Sequence, residues 1–438
     1  MVNKIYKRIA RSLLMFAILA ISSAADLAAQ TPSVPSIKAL HEYADKNGIS
    51  PNDYIFKLFE KSDIVVLGER DHRDSIQYNF ILDLLADPRF AERVGHVYTE
   101  VGGINMTEEV NRLLQRSYSS ENEFMDSLYT YYRKGECFYP LWEKYNRIKF
   151  LKGLYKINKK SSRKIHLGLT DLNFSWDSIH TVDDYKAFWK SLNKTNRDSL
   201  LCANFASMYE RQLPVKGTRK ALVITSQPHA ISYSGYFKPW KRDYGTQGWW
   251  MKKTFGEDRV KIVVLNWFDW VLWNGQNCPM TGNGVWDAAF ERIACRPFGI
   301  GLQDNPYGAT DFIGDAGGGP TFIKGMKWQD VADGLIYDTP LYNHVAAIGI
   351  KGIISKEFEP EIRRRTELFW RTAHPKDTIV PFDEIIDEYN VPITAPATFK
   401  SKEEIKRLIQ AVEEQQQDYP PTIVENTKTN VQKLKNAN

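Results

Sequence analysis

The stretch Asp63-Ile-Val-Val-Leu-Gly-Glu-Arg-Asp-His72 decides the fold. Its apolar run, Ile64 to Gly68, is short, continuous and rich in β-branched residues. Such a run bounded by glycine is typical of a strand that is buried on both faces of a parallel sheet. Glu69 and His72 follow at once. Because ligands of open α/β sheets bind beyond the carboxyl ends of the strands, these two side chains are predicted to lie where chemistry occurs.

Five later segments are also apolar and predict the remaining strands of the sheet. They comprise residues 94–100, 164–169, 220–226, 260–265 and 331–337. Segments with helical periodicity lie between them; after His72, apolar residues recur at Ile76, Phe80, Ile81 and Leu84. Strands that alternate with helices indicate an α/β protein, here with an open, mostly parallel sheet flanked by helices.

The organisation along the chain is predicted to be one large domain with additions. An α/β domain over residues 31–345 carries a helical insertion at about 104–160. A helical C-terminal extension follows over residues 346–416, and the polar segment 417–438 is predicted to be a disordered tail.

Residues 1–30 have the pattern of a cleavable signal peptide. Basic residues precede a short apolar run, Leu13 to Ala20, and small residues lie near Ala28-Ala29-Gln30. We therefore expect an exported protein, periplasmic or secreted. Cys278 and Cys295 are candidates for a disulfide in such an oxidising compartment.

Composition excludes several classes of protein. Apolar residues make up 43% of the 438 residues, as expected of a globular protein. Residues 1–30 carry four basic groups and one acidic group, so removing them lowers the formal charge from +5 to about +2. That charge is not the footprint of a nucleic-acid-binding protein. The four cysteines form no CxxC pair, which excludes zinc-ribbon and thioredoxin sites. No segment after the leader is long and apolar enough for a transmembrane helix.

Four predicted strands end on residues that can carry out proton or metal chemistry. These residues are Glu69 with His72, Glu100, Asp171 and His229. Right-handed crossovers keep the strands parallel, so the strand ends are expected at one edge of the sheet. An imidazole held by a carboxylate can take a proton from water, and a second imidazole can stabilise an oxyanion. The same groups could instead hold a divalent metal. Without a GxSxG elbow, a serine hydrolase of the usual α/β kind is not expected.

The pattern Leu67-Gly68-Glu69-x-x-His72, with a helix after it and the strand-end Glu100, resembles the erythromycin esterase-like family. It also resembles the wider superfamily that includes the ChaN-like haem-binding proteins and the Tiki/TraB proteins. Further similarity to the erythromycin esterases runs in order over about residues 60–340. The segments that carry it are Gly168-Leu-Thr-Asp171, Arg197-Asp198-Ser-Leu-Leu-Cys-Ala203-Asn204, Lys220 to His229, Gly248 to Gly256, and Asp333-Gly-Leu-Ile-Tyr337.

The resemblance implies hydrolysis of an ester or related bond by water that a histidine activates, with neither a serine nucleophile nor a metal. Carried over to this chain, it makes His72 the general base and His229 the group that polarises the carbonyl. Glu69 and Glu100 orient the base or the water. The residues predicted to contact the substrate, a small molecule, are Arg70, Arg73, Asp171 and Ser226.

Three alternatives remain open from the sequence. The first is a metal-dependent peptidase of the Tiki/TraB type, in which a divalent metal would be bound by Glu69, His72, Glu100 and His229. The second is a ChaN-like module that binds haem or another ligand. The third is an inactive family member, because Ser226 and Gln227 stand where the family has His and Asn. The sequence determines neither the substrate nor the oligomeric state.

Overall fold

A computed structural model describes most of the chain. The described residues are 34–142, 144–194, 196–237, 242–267, 280–315, 320–376, 379–396 and 401–418. The predicted signal peptide, Cys278 and residues 419–438 of the predicted tail lie outside them. Cys295 carries a free thiol.

The described strands are β1 (Ile64–Glu69), β2 (His96–Gly103), β3 (His166–Asp171), β4 (Ala221–Ser226), β5 (Ser234–Phe237), β6 (Arg242–Gly245), β7 (Val260–Leu265), β8 (Phe298–Gly301), β9 (Asp311–Asp315), β10 (Pro320–Lys327), β11 (Gly334–Tyr337), β12 (Val345–Ile348) and β13 (Ile393–Pro396).

The described α-helices are α1 (Ile37–Asn47), α2 (Pro51–Lys61), α3 (Gln77–Ala86), α4 (Pro88–Arg93), α5 (Thr107–Gln115), α6 (Glu121–Lys134), α7 (Lys144–Lys160), α8 (Val182–Lys194), α9 (Arg197–Arg211), α10 (Gln227–Ala230), α11 (Gln247–Phe255), α12 (Val285–Arg292), α13 (Trp328–Val331), α14 (Glu359–Ala373), α15 (Phe382–Asn390) and α16 (Lys402–Asp418).

A seven-stranded sheet lies at the centre, in the order β3-β2-β4-β1-β7-β11-β8. Its neighbours pair in parallel, except that β8 runs antiparallel to β11 at one edge. The predicted fold class, an open and mostly parallel sheet flanked by helices, is therefore confirmed. Three further antiparallel pairs join β5 to β6, β9 to β10 and β12 to β13.

β1 lies between β4 and β7 at the centre of the sheet, and all six of its residues are buried. Successive side chains of a strand point to opposite faces. Ile64 and Val66 accordingly join one hydrophobic cluster, whereas Val65 and Leu67 join the other. A run that is apolar at every position is thus accounted for by helices on both faces of the sheet.

Helices form a layer on each face of the sheet, and each layer contributes to its own hydrophobic cluster. On one face α1, α9, α11, α12 and α16 supply apolar residues to the first cluster. On the other face α2 to α7 supply the second cluster, so most of the predicted insertion packs there. A third, smaller cluster joins the loop before α7, the segment after β3, α8 and α14.

Several strands differ in extent from the prediction. The strand predicted to end on Glu100 continues to Gly103, so Glu100 lies within β2. The predicted strand 331–337 begins only at Gly334, because Val331 ends a short helix. The sequence predicts no strand between residues 266 and 330, yet this segment contributes the edge strand β8. In the part of the chain that the structure describes, no helix is long and apolar enough to cross a membrane.

Gly168 offers a test of how tightly β3 packs on β2. A Cβ added at Gly168 would overlap the ring of Tyr98. That ring is buried, and its hydroxyl donates to Gln212 Oε1 at 2.8 Å, so it has little freedom to move. We expect Gly168→Ala to lower the free energy of unfolding by roughly 1–3 kcal/mol in urea denaturation.

Gly301→Ala is the matched control in strand β8. Its added Cβ would lie no closer than 3.9 Å to the nearest atom, an ordinary contact. We expect a change within about 0.5 kcal/mol. Equal effects of the two substitutions would contradict the close packing of Tyr98.

Candidate functional site

The strand ends meet at one edge of the sheet, as the sequence predicts for parallel strands. Glu69, the last residue of β1, pairs in register with Ser226, the last residue of β4. On the far side of β4, β2 runs parallel to both β4 and β3. The pairing of β2 with β3 is irregular between Thr99 and Gly103. Such irregularities re-aim side chains near functional sites, and Glu100 lies within this one.

The first unit of the site is Glu69 with His72. Glu69 Oε1 lies 2.6 Å from His72 Nδ1, and Glu69 Oε2 accepts a hydrogen bond of 2.9 Å from the Tyr78 hydroxyl. Both carboxylate oxygens are therefore engaged and the imidazole is held in one orientation. An ionised carboxylate at Nδ1 favours the tautomer with the proton there, which leaves the basic lone pair on Nε2. His72 is 12% exposed, so a small reactant can reach it.

The second unit is His229 with Asp198. Asp198 lies in the first turn of α9. His229 Nδ1 lies 2.6 Å from Asp198 Oδ1, and the other oxygen of Asp198 accepts from the Gln247 amide at 3.1 Å. The Tyr244 hydroxyl also hydrogen-bonds to Asp198. Asp198 is fully buried, whereas His229 is 26% exposed. Burial alone would lower the pKa of His229, but Asp198 and then Glu100 outweigh it and raise that pKa.

Glu100 lies between the two units and is bound from several sides. Its Oε2 accepts from the Thr225 hydroxyl at 2.9 Å and from the Ser226 amide and hydroxyl at 2.8 and 3.1 Å. Its Oε1 accepts from Arg197 at 3.0 Å and lies 3.5 Å from His229 Nε2. Burial would raise the pKa of Glu100, but the charges of His229, Arg197 and His72 hold it well below its usual range. Glu100 is therefore ionised at neutral pH.

Arg197 joins Glu100 to Asp171 at the end of β3. Its Nε and Nη2 donate to the two oxygens of Asp171 at 3.0 and 2.8 Å, a bidentate pair. Arg197 is 22% exposed and therefore reaches the surface of the site. A planar guanidinium held by two carboxylates is a rigid positive charge, which suits it to face a developing oxyanion.

Arg70, predicted to contact the substrate, is instead fully buried. Its Nε donates to Asp74 at 2.7 Å, and its two terminal nitrogens donate to Asp338 at 2.7 and 3.1 Å. Its backbone amide donates to Gln77 at 2.6 Å. From the protein interior, Arg70 therefore anchors the turn that carries His72. Its side chain presents no group to a substrate.

The other three predicted substrate contacts are also engaged within the protein. Arg73 forms a bidentate pair with Asp71. Asp171 is bound by Arg197, and Ser226 donates to Glu100. The hydrogen bonds of Asp171 and Ser226 therefore hold Arg197 and Glu100 in place.

The residues present do not fit a divalent metal. No group of three or more His, Cys, Asp or Glu side chains within the described ranges is arranged to hold one. Glu100 would belong to the predicted metal set, but its oxygens are already bound by Arg197, Thr225 and Ser226. A guanidinium in contact with that carboxylate would repel a second cation.

Arg197, Asp198 and Tyr78 were assigned no role from the sequence. Arg197 and Asp198 belong to a segment that carries the family resemblance, which was the one available signal. An aspartate at a helix start is otherwise most often a cap. Here Asn196 caps α9 by accepting from two backbone amides, which leaves Asp198 to bind His229.

Comparison with known proteins gives structural neighbours but no family assignment. No protein-family model matches the chain, and no curated protein matches it. A crystal structure of a protein from Bacillus cereus is similar at 12% identity and a TM-score of 0.42, covering 69% of this chain and 97% of that one. A succinoglycan biosynthesis protein is similar at 10% identity and a TM-score of 0.45, covering 69% and 96%.

An erythromycin esterase mutant in its open conformation is also similar. The identity is 10% and the TM-score 0.44, over 66% of this chain and 93% of that one. An erythromycin esterase is thus among the structures that resemble this chain, as the sequence predicted. At these identities and TM-scores the similarities assign no role to any residue.

The buried position of Arg70 predicts a large structural effect of its removal. Arg70→Met would leave Asp74 and Asp338 as uncompensated buried charges. We expect the free energy of unfolding to fall by roughly 3–5 kcal/mol, measured by urea denaturation at pH 7.

Arg89→Met is the control for an exposed ion pair. Arg89 bridges Asp53 and Asp87, and its side chain is 36% exposed. Its loss should cost less than about 1 kcal/mol. A small effect at Arg70, comparable to that at Arg89, would mean that its guanidinium is accessible and not an anchor.

Proposed function

We propose that the chain is a hydrolase in which His72 activates water to cleave an ester or related bond of a small molecule. One observation carries the proposal: two imidazole–carboxylate pairs of different character converge on Glu100. His72 with Glu69 is suited to accept a proton. His229 with Asp198 has a raised pKa and is suited to remain protonated. Titratable pairs whose environments divide them into acid and base are characteristic of catalytic sites.

The proposed reaction begins with proton transfer to His72. Water loses a proton to His72 Nε2 while its oxygen bonds to the carbonyl carbon of the substrate. The carbonyl oxygen becomes an oxyanion, which the positive charges of His229 and Arg197 stabilise. The bond to the leaving group then breaks, and the leaving oxygen takes the proton from His72.

The hydrogen bonds of Ser226 support water as the nucleophile. Its hydroxyl donates to Glu100 Oε2 at 3.1 Å, so its proton is directed to a carboxylate of low pKa. A serine nucleophile requires an imidazole that accepts its proton. Among the described residues, Ser226 Oγ donates to Glu100 and to no imidazole.

Export belongs to the same proposal. The leader pattern of residues 1–30 supports removal of this segment and action of the enzyme outside the cytoplasm. The substrate would then be a small molecule of the periplasm or the surroundings.

His72→Ala tests the assignment of the base. We expect kcat to fall on the order of 10²- to 10⁴-fold with the fold intact, because a positioned base contributes that much. The measurement is a panel of ester, lactone and peptide substrates, with circular dichroism of each variant. His180→Ala, which removes an exposed imidazole elsewhere, should leave turnover unchanged.

The same panel, run with a chelator and with added haem, tests the alternatives. Unchanged turnover in chelator is expected. Full loss of activity in chelator, restored by a divalent metal, would overturn the metal-free mechanism. A Soret band on haem addition, with no turnover of any substrate, would support a haem-binding module instead.

Asp198→Asn tests the protonated state of His229 through the pH dependence of kcat/KM. The pKa of His229 is raised, so His229 keeps its proton until the pH rises through that pKa. The hydrolase activity that depends on this proton is retained over the same pH range. Removing the Asp198 charge lowers the pKa of His229, so the alkaline limb of the profile should shift to lower pH by roughly one unit or more.

Asp184→Asn is the matched control, because Asp184 is a partly exposed carboxylate that accepts from the backbone amides of His180 and Thr181 at the start of α8. Its profile should coincide with that of the unmodified protein. An unshifted alkaline limb in Asp198→Asn would show that His229 does not act in its protonated form.

A further inference from the structure

Two aromatic rings of the helical insertion stand beside the catalytic base. Trp142 lies in the segment between α6 and α7, and its ring meets that of His72 edge to face, with centroids 5.6 Å apart. Tyr139 stacks on Trp142 with centroids 4.3 Å apart and an interplanar angle of 26°. The base is therefore bordered by an extended aromatic surface.

Tyr139 is fixed from behind by the third hydrophobic cluster. Its ring contacts Trp189 of α8 at 6.2 Å and Phe369 of α14 at 5.8 Å between centroids. Two segments distant in sequence, α8 and α14, thus hold this ring of the insertion. A surface that is rigid before binding loses little conformational entropy when a ligand occupies it.

Tyr139 and Trp142 are more exposed than the buried rings of the third cluster. Phe138, Phe174 and Trp176 are at most 5% exposed, as expected for rings whose role is packing. Tyr139 and Trp142 are only partly buried. Among the described residues no ring besides Tyr139 stacks on Trp142.

The Tyr139 phenol lies near enough to the charged part of the site for its charges to act on it. Burial raises the pKa of Tyr139 well above its usual value, and the charges of Arg197, Asp171 and Glu100 also act on it. The phenol is therefore neutral and able to donate. It has no hydrogen-bond partner among the described residues, so a substrate oxygen could accept its proton.

We propose that Tyr139 and Trp142 form a platform that binds a ring of the substrate beside the bond that His72 attacks. The ring is an aromatic ring or the apolar face of a sugar ring, since both offer a flat surface to an indole. The position of the scissile bond rests on the proposed function, whereas the affinity for rings does not.

The test uses saturation-transfer NMR to measure how tightly three small acetamides bind to the full chain. N-Benzylacetamide carries an aromatic ring, N-acetylglucosamine a sugar ring, and N-ethylacetamide no ring. We expect at least one of the ring compounds to bind about tenfold more tightly than N-ethylacetamide, the order of one good stacking contact. Which of the two binds identifies the kind of ring.

Trp142→Ala should abolish this preference, and Trp142→Phe should retain part of it. The matched control is Tyr145→Ala, which removes an exposed ring at the start of α7 and should leave the preference intact. Circular dichroism verifies that each variant folds. If Trp142→Ala does not fold, Trp142→Phe provides a second test.

Equal binding of all three acetamides to the unmodified protein would overturn the platform. So would a preference that survives in both variants of Trp142. Failure of the hydrolase proposal looks different: rings would still bind preferentially while no substrate of the panel is turned over.

Discussion

The buried carboxylate of Glu100 is the interaction on which the rest of the site depends. It takes its hydrogen bonds from the end of β4 and from Arg197 at the start of α9, so it ties together three elements distant in sequence. An ionised carboxylate can be buried only when such donors compensate for the water it loses. Its charge in turn helps to keep His229 protonated and Arg197 oriented. Removing it would therefore alter both proposed sources of oxyanion stabilisation.

The two histidines show how one set of residue types yields opposite chemistry. Each imidazole has a carboxylate 2.6 Å from Nδ1. His229 also faces Glu100 through Nε2 and so lies between two negative charges. The carboxylate of each pair also binds a tyrosine hydroxyl, Tyr78 at Glu69 and Tyr244 at Asp198, so the contact of His229 with Glu100 is what differs. The two pairs are similar, but the groups next to them differ. This difference distinguishes the proposed acid, His229, from the proposed base, His72.

Much of the fold could be predicted from local patterns, and less of the site. Residues 64–68 are apolar at every position, which is typical of a strand covered on both faces. The antiparallel edge strand β8 was missed because four residues, Phe298 to Gly301, give too short a pattern. The hydrogen bonds of Arg70 could not be foreseen, since one of its two carboxylate partners, Asp338, lies 268 residues away. Neighbouring residues of a turn can point to opposite sides, so adjacency to His72 did not make Arg70 part of the surface.

The succession of strands along the chain, the parallel direction of most of them and the placement of Glu69, Glu100, Asp171 and His229 at or near their carboxyl ends can be predicted from the sequence alone. These follow from periodicity and from the handedness of crossovers, which act over short distances. Only the tertiary structure decided which partner each group binds. The docking of α9 brings Asp198 to His229 and Arg197 to Glu100, and the insertion brings Trp142 to His72. Those contacts join segments tens of residues apart or more, and their geometry depends on packing that no local pattern encodes.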